Sequence, residues 1–271
     1  MFPSKKCAII SNGVLTKIMK IGVLPMDEVS KMDIFRRMLD NSDRVVFLGG
    51  AGVSTESGIP DFRSENGIFN AIHNYGYPPE ELLSSTFFRR KPDVFFRYYK
   101  DLLMSTDAKP NDAHIALAKL EQIGKLTAIV TQNIDGLHQA AGSKRVFELH
   151  GSIHRNYCTK CCKFFSADYV KQCSGIPYCP CGGMIKPDVV LYEEPLDENI
   201  MQGAATHIYR ADMLIVGGTS LQVYPAAGFI NYFRGDKLVL INKSKTAYDS
   251  YAQLVINDSI GSVLKTAVSG L

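Results

Sequence analysis

The chain has 271 residues, of which 46% are hydrophobic and 21% are charged, so it can bury a sizeable core and is not expected to be disordered. Thirty Lys and Arg against 27 Asp and Glu give a formal charge of +3, which is too little to indicate a nucleic-acid binder. Residues 1–26 hold four lysines and no acid, which leaves 26 basic against 27 acidic residues, or −1, in residues 27–271.

Residues 1–26 are predicted to be a basic, flexible extension ahead of a folded body at 27–271. Ser11, Asn12, Lys17 and Lys20 interrupt the apolar run near the start, and no small-x-small cleavage pattern follows, so a secretory signal is not expected. No stretch approaches the roughly 18 uncharged apolar residues of a spanning helix, and no membrane partner is expected.

Apolar residues at three-to-four spacing predict several helices along the chain. The first begins near Asp27, and residues 57–79 are predicted to be a long ordered loop because they are rich in Gly, Pro, Asn and Tyr. Asn111 is the predicted cap of a later helix. The predicted helices cover about residues 27–39, two short segments within 80–106, and then 114–122, 197–210, 225–234 and 259–268.

Short apolar runs bounded by turn residues predict buried strands. These runs are at residues 44–48, 126–130, 146–149, 188–192, 213–216, 238–241 and 254–256. Strands alternating with helices predict an α/β fold with a Rossmann-like, doubly wound parallel sheet, which binds its ligand beyond the carboxyl ends of its strands. Gly52, Gln132, His150, Gly218 and Asn242 each follow a predicted strand and are therefore expected to converge.

The seven cysteines are unevenly placed, since six of them lie between Cys158 and Cys181. An odd count in a chain of this size argues against a disulfide framework and indicates a metal site in a reducing compartment, the cytoplasm. Four thiolates in two local pairs match a closed, tetrahedral structural zinc site. The predicted ligands are Cys158, Cys161, Cys179 and Cys181.

The segment Gly50-Ala51-Gly52 follows a strand and is predicted to precede a helix. Glycines at such a turn let backbone N–H groups approach a pyrophosphate. The motif alone is weak, because Thr55 stands where the third glycine of GxGxxG would be. A purely structural turn explains these three residues equally well.

Longer motifs decide between these readings: SGIPDFR at 57–63, TQNIDGLH at 131–138 and LHG at 149–151. Together with the glycine motif, the four cysteines, the stretch at 218–227 and Ile241-Asn242, they stand in the order found in sirtuins. The chain resembles this family over about residues 30–268.

The resemblance implies an NAD-dependent protein-lysine deacetylase that removes acetyl or short apolar acyl groups. In the family reaction the acyl oxygen of an acetyl-lysine attacks C1′ of the nicotinamide ribose, and the products are nicotinamide, O-acetyl-ADP-ribose and free lysine. It also implies a helical and cofactor-loop insertion at about 57–110 and a zinc module at about 155–187. Acetylated peptides are expected to add as a strand from Val190 to Glu193 and from Gln222 to Tyr224.

The resemblance also assigns roles to residues. His150 takes the position of the base, which suits a side chain with an unperturbed pKa of about 6.5. Asn133 holds the ribose hydroxyls and a water through its donor and acceptor, while Asp135, beside Ile134, receives the nicotinamide amide. The other implied NAD contacts are Gly50, Ala51, Gly52, Ser54, Thr55, Phe62, Arg63, Gln132, Gly218, Thr219, Ser220, Asn242 and, near the adenine, Ile260.

The chain departs from the sirtuin pattern at several positions. Its second cysteine pair is CxC rather than CxxC, so Cys162 and Cys173 are alternative zinc ligands. Glu193 replaces a glycine in the peptide-binding segment, which puts the peptide geometry there in question. Leu102 stands where desuccinylating members carry an arginine, which favours an apolar acyl group.

Two other functions compete with deacetylation. An NAD-dependent protein ADP-ribosyltransferase is the alternative enzyme, although members specialised for that reaction lose the asparagine or the histidine that are present here as Asn133 and His150. A zinc-ribbon nucleic-acid adaptor would account for five bases against one acid in residues 155–187, but it leaves the NAD motifs unexplained. No direct nucleic-acid partner is therefore expected.

Overall fold

The computed structural model describes residues 30–61, 64–104 and 107–270. Lys31–Leu271 form one compact unit. The predicted extension at 1–26 lies outside the described residues, and so does the predicted start of the first helix near Asp27. The limits of the body and of its two insertions stay predictions.

Six parallel strands form the main sheet: β1 (Val45–Gly49), β2 (Leu126–Thr131), β3 (Val146–Glu148), β7 (Met213–Gly217), β8 (Lys237–Ile241) and β9 (Leu254–Ile256). Their order is β3-β2-β1-β7-β8-β9, so the chain builds outward from β1 in one direction and then returns to add strands on the other side. This order confirms the predicted Rossmann-like, doubly wound sheet. The crevice of such a sheet opens between β1 and β7, where the order reverses.

Three further strands form a small antiparallel sheet in the order β5-β4-β6: β4 (Gly151–Cys158), β5 (Phe164–Ser166) and β6 (Ile185–Val189). The prediction of a strand at 188–192 in the parallel sheet is wrong. The strand ends at Val189 and pairs with β4, while Tyr192 makes a single bridge to Ser84. The apolar run from Val189 to Leu191 has the composition of a buried strand in the parallel sheet. Hydrophobic periodicity indicates a strand but does not identify the strand with which it pairs, so it does not predict the pairing with β4.

The helices are α1 (Lys31–Asp40), α2 (Glu65–Tyr75), α3 (Pro79–Leu82), α4 (Ser85–Arg90), α5 (Pro92–Tyr98), α6 (Asp112–Gln122), α7 (Leu137–Ala140), α8 (Ala167–Gln172), α9 (Glu198–Arg210) and α10 (Ile260–Val268). The loop prediction for 57–79 is wrong, because α2 lies within it and is capped by the Ser64 hydroxyl. Three helices, α3, α4 and α5, are found where two were predicted within residues 80–106, and a π turn follows them at Tyr99–Leu103. Residues 226–232 form a 3₁₀ helix. None of the helices in the described part is long and apolar enough to cross a bilayer.

Alternation along β1 divides the core of the main sheet into two layers. Val45 and Phe47 pack with α1, α6 and α10 on one face, whereas Val46 and Leu48 pack with α9 on the other. A third apolar cluster joins α3, α4 and α5 to the small sheet, and it includes the buried thiols of Cys158 and Cys179. The short helices and the small sheet therefore share one core.

Arg155 on β4 joins the two sheets. Its Nε donates to Asp188 of β6 at 2.7 Å, and its Nη1 donates to Glu148 of β3 at 2.8 Å. Since β3 belongs to the parallel sheet, one guanidinium group ties the edge of that sheet to the small sheet.

Replacing Asn111 with Ala tests how α6 is anchored. Its Oδ1 caps α6 by accepting from the Ala113 N–H at 2.9 Å, and its Nδ2 donates to the carbonyl of Val53 at 2.7 Å and to Ser57 at 3.0 Å. We expect Asn111→Ala to lower the free energy of unfolding by about 1–2 kcal/mol in urea titrations.

The matched control is Asn41→Ala, which removes an exposed amide that donates to the Arg37 carbonyl just after α1. We expect this change to alter stability by about 0.5 kcal/mol or less. Equal losses in the two variants would contradict the anchoring role of Asn111.

Candidate active site

A cavity of about 340 Å³ opens beside the carboxyl ends of β1, β2 and β3. One wall comes from the loops of the parallel sheet and the other from residues that follow the small sheet and β7. The lining includes Ala51, Ser54, Ile59, Gln132, Asn133, Ile134, Asp135, His150, Ile153, residues 189–194 and residues 223–225. The structure therefore brings the predicted catalytic residues His150 and Asn133 into one cavity.

The loop after β1, here the first loop, needs its glycines because it lies directly against the second loop, which follows β7. The Gly52 N–H donates to the Gly218 carbonyl at 2.8 Å, and a Cβ on Gly52 would lie 2.8 Å from the Gly218 Cα. A Cβ on Gly50 would lie 2.8 Å from the Thr219 Cβ, and Gly218 itself has φ +61°. The loop continues as two 3₁₀ turns, Ala51–Val53 and Thr55–Ser57, so the prediction that a helix follows the motif is wrong.

A chain of hydrogen bonds fixes the side chains of Asn133 and Asp135. The Asn133 Nδ2 donates to Ser54 Oγ at 2.9 Å, and that hydroxyl donates to Asp135 Oδ2 at 2.6 Å. The other oxygen of Asp135 accepts from the Leu137 N–H at 2.9 Å. Because the amide nitrogen of Asn133 is committed to Ser54, its Oδ1 remains as an acceptor at the cavity wall.

The sequence predicts no site role for His154, but the structure places it against this loop. Its Nε2 lies 2.9 Å from the Asp135 carbonyl and donates to it, since a carbonyl only accepts. The ring also fills the space where a Cβ on Gly136 would stand. No sequence motif surrounds His154, so the contact could not be predicted. It becomes visible only in the fold, where β4 lies beside the loop that contains Asp135.

The tautomer of His150 is set by a backbone contact. Its Nδ1 lies 2.9 Å from the Gln132 carbonyl, so Nδ1 carries the proton when the ring is neutral. Nε2 is then the basic nitrogen of a residue that lines the cavity. This is the arrangement that a general base requires.

Several of the other residues predicted to contact NAD form a second hydrogen-bonded group. Gln132 Nε2 donates to Thr219 Oγ1 at 3.2 Å, and Asn242 Nδ2 donates to the Thr219 carbonyl at 2.6 Å. Ser220 is exposed beside them. Ile260 is 96% buried, and its side chain fills the space next to Gly217, so its predicted contact with adenine stays a prediction. Phe62 and Arg63 lie outside the described residues.

The four predicted zinc ligands come together. The sulfurs of Cys158, Cys161, Cys179 and Cys181 all lie within 4.8 Å of one another. The separations of 3.4 Å for Cys158–Cys181 and 3.6 Å for Cys161–Cys179 are near the value of about 3.8 Å for thiolates around a tetrahedral zinc ion. The donor set therefore fits structural Zn²⁺, and neither alternative, Cys162 or Cys173, belongs to the cluster.

The backbone around the cluster suits thiolate ligands. The N–H groups of Lys160 and Cys161 point at the Cys158 sulfur from 3.4 and 3.5 Å. Desolvation raises the pKa of this thiol, but the two N–H groups, together with hydrogen bonds from the Cys181 and Cys161 thiols, outweigh it and bring the pKa to about 6. Gly183 has to be a glycine, since a Cβ there would lie 2.5 Å from the same sulfur. The CxC pair is thus accommodated by a close turn against the first pair.

A pair of buried imidazoles lies beneath the Asp135 loop. The rings of His114 and His138 are 4.7 Å apart, and neither nitrogen of His138 has a hydrogen-bond partner within the described residues. His114 Nδ1 accepts from the Asn111 N–H at 3.2 Å. Desolvation, followed by repulsion from His114, lowers the pKa of His138 to about 3. Both rings are therefore neutral parts of the core at pH 7.

The buried imidazoles predict a pH dependence of stability. Unfolded His138 binds a proton below about pH 6.5, whereas the folded ring stays neutral down to about pH 3. The unfolded state therefore holds more protons in this window, and stability falls as the pH falls, by at most about 1.4 kcal/mol per pH unit for one ring. Urea titrations from pH 7 to pH 4 should give a flatter profile for His138→Gln than for the wild type, while His73→Gln, at an exposed position, should keep the wild-type slope.

The zinc assignment predicts different behaviour for the two classes of cysteine. Cys179→Ala should lose bound zinc, measured by atomic emission on the purified protein, and should lose the small sheet that shares its core with the cluster. Cys173→Ala should retain one zinc per chain. Loss of zinc from the Cys173 variant with retention in the Cys179 variant would overturn the ligand set.

Comparison with known proteins gives a consistent result. The model of the Sir2 family matches residues 50–225. An NAD-dependent protein deacetylase of Clostridium perfringens is 62% identical over 240 residues, which cover 88% of this chain and 97% of that protein. A Sir2 structure with a deacetylated p53 peptide and 3′-O-acetyl ADP ribose superposes with a TM-score of 0.81 at 38% identity, covering 89% of this chain and 98% of the other. A Sir2 structure with a p53 peptide and NAD⁺ gives a TM-score of 0.79 at the same identity and coverage. The chain belongs to the Sir2 family.

Proposed function

We infer that this protein is an NAD-dependent protein-lysine deacetylase. The observation that carries the inference is the cavity lined by His150 and by the hydrogen-bonded chain Ser54–Asn133–Asp135. When bound, NAD would supply an electrophilic C1′ with nicotinamide as its leaving group and a ribose hydroxyl that receives the acyl group of the lysine. Relatives named NAD-dependent protein deacetylase at up to 62% identity support the same activity.

The loops after β1, β7 and β8 are proposed to hold the dinucleotide. Gly50 and Gly52 let the first loop lie against Gly218 and Thr219, and the Gly52 N–H is committed to that contact. Asn242 fixes the Thr219 carbonyl and thereby the position of the second loop. We assign Gly50, Ala51, Gly52, Ser54, Thr55, Phe62, Arg63, Gln132, Ile134, Gly218, Thr219, Ser220, Asn242 and Ile260 to the NAD site.

His150 and Asn133 are proposed to act on the ribose. With Nδ1 bound to the Gln132 carbonyl, His150 presents Nε2 as the base that accepts a hydroxyl proton. Asn133 presents Oδ1 as an acceptor that orients a hydroxyl or a water. Asp135 receives the nicotinamide amide and is held in place from two sides by Ser54 and Leu137.

The acetylated peptide is proposed to lie as an added strand between the segments from Val190 to Glu193 and from Gln222 to Tyr224. Tyr192 is already paired on its other side, since its N–H donates to the Leu83 carbonyl and its carbonyl accepts from the Ser85 N–H, both at 3.0 Å. Residues 223–225 stand across the cavity, and Tyr224 is 68% exposed. Tyr192 is thus paired within the fold on one side and lines the cavity, which suits strand addition before the chain turns at Glu193.

The lining supports a short apolar acyl group. Ile134, Ile153, Val190 and Leu191 supply apolar side chains to the cavity. No Lys or Arg is among the described lining residues, so none of these residues offers a cation to a carboxylated acyl chain. Acetyl is the group we assign, and ADP-ribosyl transfer to protein remains the competing outcome of the assay below.

A cytoplasmic location is part of the proposal. Thiolate ligands of the kind that Cys158, Cys161, Cys179 and Cys181 provide need a reducing compartment, and the proposed reaction consumes NAD.

The assay combines the protein with NAD and an acetyl-lysine peptide, and mass spectrometry detects free lysine peptide and O-acetyl-ADP-ribose. Loss of the base in His150→Ala should lower kcat by about 10²- to 10⁴-fold, whereas the exposed His73→Ala should behave as the wild type. ADP-ribose attached to protein in place of peptide deacetylation would favour the transferase. Undiminished turnover in the His150 variant would show that another group is the base.

A further inference from the structure

Glu193 adopts a backbone conformation that favours glycine, and it stands where the sirtuin pattern has one. Its φ is +75°, in the left-handed region that residues with a Cβ disfavour. The side chain is held in this position by the first turn of α4, where the Thr86 N–H donates to its Oε2 at 2.9 Å. The Glu193 side chain, which a glycine at this position would lack, is thus part of the wall of the cavity.

The neighbouring Glu194 has a different environment. Its Oε2 accepts from Lys186 Nζ and from the Leu191 N–H, both at 3.0 Å, and its Oε1 accepts from Ser85 Oγ at 3.1 Å. Glu194 is therefore neutralised inside the segment that it braces. Glu193 is exposed and, among the described residues, has no cation within 4.0 Å of its carboxylate.

The charge of Glu193 is secure at neutral pH. Hydrogen bonds from the Thr86 hydroxyl and from its backbone N–H lower the pKa of this carboxyl, and the more distant Arg89 and Arg90 lower it further. Neither arginine lines the cavity. The wall beside the proposed peptide strand therefore presents one negative charge, with two exposed arginines behind it on α4.

We propose that Glu193 is a specificity-determining residue, which selects substrates that carry Lys or Arg close to the acyl-lysine. The proposal rests on the proposed function, since it needs a peptide along the segment from Val190 to Glu193. Held by the N–H and the hydroxyl of Thr86, the carboxylate is oriented before the substrate arrives, and its oxygens have further lone pairs that can accept from a cationic side chain. Because Glu193 is exposed to solvent, the contact adds selectivity rather than high affinity.

The experiment measures kcat/KM at saturating NAD for acetyl-lysine peptides that differ at one position. Lys, Ala or Glu is placed in turn at each of the two positions before and after the acetyl-lysine. We expect one position at which the wild type prefers Lys over Glu by about threefold to fivefold, as for an exposed ion pair, and this ratio should shrink at high salt.

Two variants separate charge from backbone geometry. Glu193→Gln keeps an oxygen for the Thr86 N–H but removes the charge, and Glu193→Gly restores the residue of the sirtuin pattern. Both should bring the Lys-to-Glu ratio close to one. The control is Glu81→Gln, an exposed carboxylate on α3 that does not line the cavity and should keep the wild-type ratio.

The outcomes keep the two proposals apart. Absence of deacetylation with every peptide would refute the proposed function. Deacetylation with no preference for Lys at any position, or with a preference that survives in Glu193→Gln, would overturn the role of Glu193. A preference for Glu would overturn it as well and would assign selection to Arg89 and Arg90.

Discussion

The contact between the backbones of Gly52 and Gly218 is the constraint on which the site depends. It joins the loop after β1 to the loop after β7 at the point where the strand order reverses. No side chain can be inserted there without moving one loop, since a Cβ on Gly52 would meet the Gly218 backbone. The position of Ser54 follows from this contact, and the orientations of Asn133 and Asp135 follow from Ser54.

The second half of the site depends on a different kind of interaction. The small sheet has a limited core, which it shares with α3, α4 and α5, and the cysteine cluster sits at its edge. Two of the thiols are buried in that core, so a metal bound by the four cysteines would close the end of the sheet. The residues that follow β6 form the peptide side of the cavity. The zinc ion would therefore support the site by stabilising the small sheet, and it would take no part in the reaction.

The sequence predicts most of the parallel sheet, because its strands are short apolar runs followed directly by site residues. The end of each strand locates Gly52, Gln132, His150, Gly218 and Asn242, and all five lie where the doubly wound order places them. The four zinc ligands were also recognisable, since local pairing of thiols leaves a clear spacing.

The elements that the sequence did not predict depend on contacts made elsewhere. Helix α2 contains a glycine and several asparagines, which are poor helix formers, and it leaves Phe69 and Ile72 exposed, so its pattern is not that of an amphipathic helix. The pairing of β6 with β4 and the bond from His154 to Asp135 link segments that no local pattern connects. The only sequence signal for the left-handed backbone of Glu193 is the glycine that the sirtuin pattern has at this position.

Arg155 has a mechanical consequence for the cavity. The cavity lies between the loops of the parallel sheet and the residues that follow the small sheet, and Arg155 holds both sheets through Glu148 and Asp188. Widening of the cleft between the two sheets acts on the ion pair between Arg155 and Glu148, because Asp188 lies in the same sheet as Arg155 and holds the guanidinium group in place. Because both ion pairs are partly exposed, dissolved salt weakens them. The energy needed to open the cleft therefore depends on ionic strength, through one guanidinium group outside the cavity.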